Sequence, residues 1–152
     1  MRLFRLLTLV GLAYMAVQSS FAANTPRKVD EYGALNCEDE MARLDNYAVE
    51  LQADVTAKAV VVVYGGRRGT RRDEVRERLA FIRHYLTVNR SISGRRVLTF
   101  DGGFLESLRT DLWIIPSFAD EKYLILPTVQ GKDVKFRRGK FGNRIRRCGG
   151  IG

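Results

Sequence analysis

The stretch Ala59-Val60-Val61-Val62-Val63-Tyr64-Gly65-Gly66-Arg67-Arg68-Gly69-Thr70 decides the fold. Its apolar half is rich in β-branched residues and shows no alternation. That pattern predicts a central strand covered on both faces. The glycine pair ends the strand, and Thr70 with Asp73 resembles the start of a capping box. Val75, Leu79, Ile82 and Leu86 follow at helical spacing, with Phe81, Tyr85 and Val88 widening the same stripe. A helix ending near Leu86 is therefore predicted. A further strand, Val97 to Phe100, stops at Asp101-Gly102-Gly103. Strand, helix and strand make one βαβ unit, and ligands of such units bind outside the carboxyl ends of the strands. Here that place is the glycine turn and an arginine-rich helix start, which suits an anion.

Upstream, Val29-Asp30-Glu31-Tyr32 predicts a short first strand. Asn36 is placed to N-cap a helix over 37–53, whose apolar stripe is Met41, Leu44, Ala48 and Leu51. Its other face carries Glu38, Glu40, Asp45 and Glu50, read as a solvated face. Downstream, Leu108 to Ile115 predicts a last strand stopped by Pro116. The link from Asp101 to Ser107 has hairpin length, so this strand is expected beside its predecessor. The order β-α-β-α-β-β predicts an α/β two-layer sandwich with a mixed sheet.

Residues 1–22 read as a signal peptide. Arg2 and Arg5 precede the apolar run Leu6 to Val17, and Ser20-Phe21-Ala22 is a small-x-small site, so cleavage is expected near Ala22. The expected location is extracytoplasmic, periplasmic or secreted. Residues 23–116 form the predicted domain and 117–152 a basic, glycine-rich tail. Tyr123–Leu126 could add a short strand. The rest of the tail is expected to be extended or poorly ordered unless Cys148 anchors it.

The net charge of +9 is uneven. Residues 24–116 hold 15 Lys/Arg against 14 Asp/Glu, whereas residues 117–152 hold 9 against 3. In an exported chain such a patch meets anionic envelope polymers, envelope proteins or lipid headgroups rather than nucleic acid. The two cysteines, Cys37 and Cys148, favour one disulfide in an oxidising compartment. Two cysteines and a single histidine, His84, give no basis for a metal site, and no cofactor motif is present. Asp101 and Asp111 could approach across the last hairpin, but strand-end aspartates more often cap turns. The predicted class is therefore non-enzymatic. Arg67, Arg68, Arg71 and Arg72 surround the predicted helix start. The ligand-binding candidates are Gly66, Arg67, Arg68, Gly69 and Arg78, and Glu74 stands at i,i+4 to Arg78 as a competing partner.

Three segments carry a family resemblance: Val63-Tyr64-Gly65-Gly66-Arg67-Arg68-Gly69, Arg78-Leu79-Ala80-Phe81-Ile82-Arg83-His84-Tyr85-Leu86 and Ile92-Ser93-Gly94-Arg95-Arg96-Val97. In this order they resemble the strand end, helix and link of the OmpA-like carboxyl-terminal domain, the peptidoglycan-associating module of bacterial envelopes. The resemblance covers roughly residues 29–116. Asp30-Glu31-Tyr32-Gly33, Ala42-Arg43-Leu44-Asp45-Asn46, Tyr64-Gly65-Gly66-Arg67-Arg68-Gly69 and Leu112-Trp113-Ile114-Ile115-Pro116 also resemble segments of a set of small secreted bacterial proteins. The resemblance implies an envelope-binding function. In the OmpA-like family an aspartate and an arginine hold the diaminopimelate of the stem peptide. Arg78 falls on that arginine and Gly66 on the aspartate. The alternative is a structural or protein-interaction module that keeps this fold without the peptidoglycan site.

Overall fold

The computed structural model describes residues 25–117 and 128–148. The expected signal segment and the strand expected at Tyr123–Leu126 lie outside the described residues. The body runs β1 (Arg27–Tyr32), α1 (Cys37–Ala53), β2 (Lys58–Gly66), α2 (Glu74–His84), β3 (Val97–Leu105) and β4 (Arg109–Ile115). It is a mixed α+β fold on one four-stranded sheet of order β1-β4-β2-β3. No helix among the described residues is long and apolar enough to cross a membrane.

β2 is central. Ala59, Val61 and Val63 pack into the main core with Leu44, Leu51, Ile82 and Leu86, while Val60, Val62 and Tyr64 pack with Ile115 on the other face. Both faces are buried, so alternation is absent from its sequence. α1 starts where Asn36 Oδ1 accepts the Asp39 N–H at 2.8 Å. Its apolar side is completed by Tyr47, fully buried, whose hydroxyl donates to the Trp113 carbonyl at 2.6 Å.

The last strand lies elsewhere than expected. β3 pairs parallel with β2, and β4 pairs antiparallel with the opposite edge of β2 and with β1. β3 does not stop at Phe100. It continues to Leu105 through an irregularity around Gly102-Gly103, and the Arg67 N–H donates to the Leu105 carbonyl at 2.7 Å. The three residues Glu106-Ser107-Leu108 then cross the end of β2. A Cβ on Gly66 would stand 2.9 Å from the Leu108 nitrogen, so the crossing requires glycine there. Asp101 and Asp111 consequently flank β2 from opposite sides. Asp101 accepts the Gly103 N–H within its own turn, and Asp111 is buried with Arg109 and Lys28.

α2 also departs from expectation at both ends. It begins at Glu74, because Thr70 Oγ1 accepts the Gly66 N–H at 2.7 Å and Glu74 itself accepts the Arg71 N–H at 3.1 Å. At the far end Tyr85–Asn89 form one π-helical turn, closed by the Arg90 N–H on the Tyr85 carbonyl. The wider turn rotates later residues relative to an α-helix. Val88, expected in the buried stripe, is 62 % exposed.

The described part of the tail packs against the body. Residues Gly131–Asp133 make a 3-10 turn, Arg144–Cys148 make α3, and Cys148 forms a disulfide with Cys37 at the start of α1. The described part of the tail is thus tied to the body at Cys148.

Candidate functional site

The chain leaving β2 turns through Arg67-Arg68-Gly69-Thr70, with Gly69 in the left-handed region at φ +87°. The tail lies along this turn. The Lys135 N–H donates to the Arg67 carbonyl at 2.8 Å, and the Arg137 N–H donates to the Thr70 carbonyl at 3.0 Å. Phe136, between them, rests edge-on to Phe104 and under the Arg72 guanidinium, 4.7 Å from the ring centre. Further on, the Asp73 carboxylate accepts the backbone N–H groups of Phe141 and Gly142, at 2.8 Å for the Phe141 bond to Oδ1. Those bonds, Phe141 first, hold the Asp73 carboxyl below its ordinary range.

Beyond Phe141 the tail enters a buried polar cluster. Arg144 is buried, and its Nε donates to Glu40 Oε2 at 2.7 Å while Nη2 donates to the Leu35 carbonyl. Glu40 is fully buried, which corrects its placement on a solvated face of α1. Its other oxygen accepts from the Tyr32 hydroxyl at 3.3 Å. Burial, and then the Glu40 charge, push the Tyr32 hydroxyl well above its usual value. Arg78 completes the cluster. Its Nε and Nη2 donate to Glu74 Oε1 at 3.2 and 3.0 Å, and Phe141 lies against its guanidinium at 5.1 Å.

The five ligand-binding candidates therefore separate. Arg68 and Gly69 are exposed at the turn. Arg67 is half-buried and paired with Glu106 at 3.1 Å. Gly66 is buried beneath the β3–β4 crossing, so its role is close packing rather than ligand contact. Arg78 is 3 % exposed, engaged by the chain's own glutamates and covered by the tail, and does not join the accessible surface.

What the docked tail builds is a basic corner. Arg68, Arg72 and Arg76 from the body are exposed, as are Lys135, Arg137, Arg138, Lys140, Arg146 and Arg147 from the tail. Arg72, Arg76 and Lys140 share a shallow groove of about 510 Å³ with Asp73, Glu77 and Asn143. Asp73 is held by the tail backbone and Glu77 pairs with Arg76 at 3.2 Å, so the groove carries a small positive excess, with Arg72 and Lys140 its cations outside that pair. Exposed guanidinium groups close together offer paired N–H donors to carboxylate, phosphate or sulfate. Sequence reasoning missed Glu40, Arg144, Phe141 and Asp73 as the groups that seat the tail. Among the described residues no group of three or more His, Cys, Asp or Glu could hold a metal ion.

Comparison with known proteins returns no match to a family model, a curated protein or a solved structure.

Proposed function

We propose that this protein is an exported, non-enzymatic module that binds an anionic polymer of the cell envelope through the basic corner. The observation carrying the proposal is the docking of Lys135–Arg147 onto the end of β2 and the start of α2. It sets tail cations beside Arg68, Arg72 and Arg76, a concentration of charge that neither segment has alone. Such a surface attracts polyanions through several weak, salt-screened contacts. Peptidoglycan or an attached anionic polymer is the expected partner, and the same cations suit anionic lipid headgroups at a membrane surface. The OmpA-like kinship belongs to this proposal. Its support is the parallel β2-α2-β3 unit and the sequence segments that resemble that family.

The test is co-sedimentation with purified peptidoglycan sacculi at low and moderate salt, beside the charge-reversed variant Arg137→Glu/Arg138→Glu. Binding that weakens with salt and is lost on charge reversal is expected. No binding at low salt, or binding indifferent to the reversal, would overturn the proposal.

A second reading is favoured by one observation: the place of the family arginine is filled from within by Glu74, Glu40 and Phe141. On that reading the fold is a scaffold for a protein partner. Envelope-protein capture that survives charge reversal at the corner would favour it.

A further inference from the structure

We infer that the Cys37–Cys148 disulfide is a redox latch on polyanion binding: breaking it frees the tail and disperses the basic corner. The inference rests on the polyanion reading above. It starts from how α3 is held. α3 has five residues, Arg144 to Cys148, too few to persist as a free helix. Within it, Arg144 is the residue buried against Glu40, and a buried ion pair roughly breaks even against the desolvation of its two charges. With the body folded, the segment that detachment would free runs from Ile115 at the end of β4 to Cys148, and the tie removes the entropy of those loose residues, about 33 in number. Beside that ion pair and the packing of Ile145 on the core, the tie is the covalent hold on this end.

The consequences follow from what lies next to it. Phe141 packs against Arg78, Arg144 and Arg147, and its backbone is held by Asp73. When α3 leaves, Arg144 departs from Glu40, the Phe141 cover loosens, and Lys140, Arg146 and Arg147 are no longer fixed beside Arg72 and Arg76. The Glu40 and Glu74 carboxylates are uncovered at the same time. Both changes disfavour a polyanion. The chemistry is ordinary thiol–disulfide exchange with a dithiol reductant: the Sγ–Sγ bond breaks, two cysteine thiols form, and the reductant gives up two electrons and two protons as its own disulfide closes. The body keeps its four-stranded sheet, which contains no tail strand, and the core gives up only the edge contacts of Ile145 and Cys148.

The experiment uses the full oxidised chain, the same chain reduced with dithiothreitol and alkylated, and the variant Cys37→Ser/Cys148→Ser. Heparin serves as a soluble polyanion probe at two salt concentrations. Circular dichroism reports the body, and trypsin sensitivity at Arg137–Arg147 reports the tail. The expected result is an intact body, a tail newly open to trypsin, and affinity lower by about tenfold or more as linked contacts become independent. Equal affinity and equal trypsin protection in all three forms would overturn the latch. Global unfolding on reduction would also overturn it, since the bond would then be a general staple. If the oxidised chain itself fails to bind heparin, the polyanion reading fails. The latch is then judged on the tail alone: cleavage confined to the reduced and serine forms supports it, and equal protection overturns it.

Discussion

Arg78 donates from Nε and Nη2 to Glu74, while its Nη1 is buried without a hydrogen-bond partner, 3.9 Å from Glu40. Glu40 in turn faces Arg144 and the Tyr32 hydroxyl. Removing one partner of a buried pair leaves the other charge desolvated and uncompensated. Glu40→Ala is therefore expected to destabilise the protein by about 3–5 kcal/mol, because it strands Arg144 and weakens Arg78 together. Equilibrium urea unfolding checks this, and a midpoint close to that of the parent would contradict the buried-cluster account. Gly66→Ala tests a different constraint. Its Cβ would meet backbone, the Leu108 nitrogen, rather than a side chain that could turn away. A loss of about 1–3 kcal/mol is expected from overpacking, with the position of the β3–β4 crossing at stake. The cluster leaves a signal in the sequence only once the disulfide is granted. If Cys37 and Cys148 meet, Glu40 lies one turn after the first and Arg144 one turn before the second, so two opposite charges are brought together beside the bond. What sequence spacing does not reveal is burial. Glu40 sits among acidic neighbours on α1, and its enclosure depends on a segment about a hundred residues away.

The tail is the element whose behaviour pH should control. The Phe141 and Gly142 N–H groups bond the ionised form of Asp73 and hold its pKa below the ordinary 3.8. The sign follows from linkage. A carboxyl depressed in the folded state contributes its stabilisation above the unfolded value, and that contribution is lost as pH falls through the folded one. Undocking at Phe141 is thus expected below about pH 3.8 and not near neutrality. Amide resonances of Phe141 and Gly142 followed through an acid titration check it. In Asp73→Asn this acid step should vanish, and a step that persists would assign the titration to another carboxyl. Local periodicity is legible in this sequence, and distant pairing is not. The bounds of α1 and the two-sided burial of β2 follow from their own residues. The place of β4 does not. A short link after β3 suggests a hairpin, but the free edge of β2 and the absence of a side chain at Gly66 let the chain cross instead. The π-turn at Tyr85–Asn89 is likewise invisible to a stripe count that assumes 3.6 residues per turn.

Across the whole molecule, exposed arginines stand at both ends of the sheet. The basic corner stands at the carboxyl end of β2. Arg27 and Arg95 are exposed at its amino end, where Ile114, the β4 partner of Arg27, pairs with Ala59, and the Ala59 N–H meets the carbonyl of Arg96. The uneven charge of the chain was plain in the sequence. Which cations would meet was not, because the tail's path over Arg67–Asp73 is set by backbone bonds to Arg67 and Thr70 and by the distant Asp73 carboxylate, none of which a local pattern marks. This arrangement separates two causes of polyanion affinity. If net charge alone attracts the ligand, removing two positive charges anywhere has one effect. If the corner is the site, position decides. Arg137→Gln/Arg138→Gln and Arg27→Gln/Arg95→Gln each lower the net charge by two from +9. The screening length is about 8–10 Å at physiological salt, so charges at the far end of a nine-residue strand contribute little to a ligand held at the corner. Heparin affinity at about 0.15 M salt should fall several-fold in the corner pair and stay near the parent value in the distal pair. Equal losses in both would mean that the polyanion reads total charge, and the corner would then be no site at all.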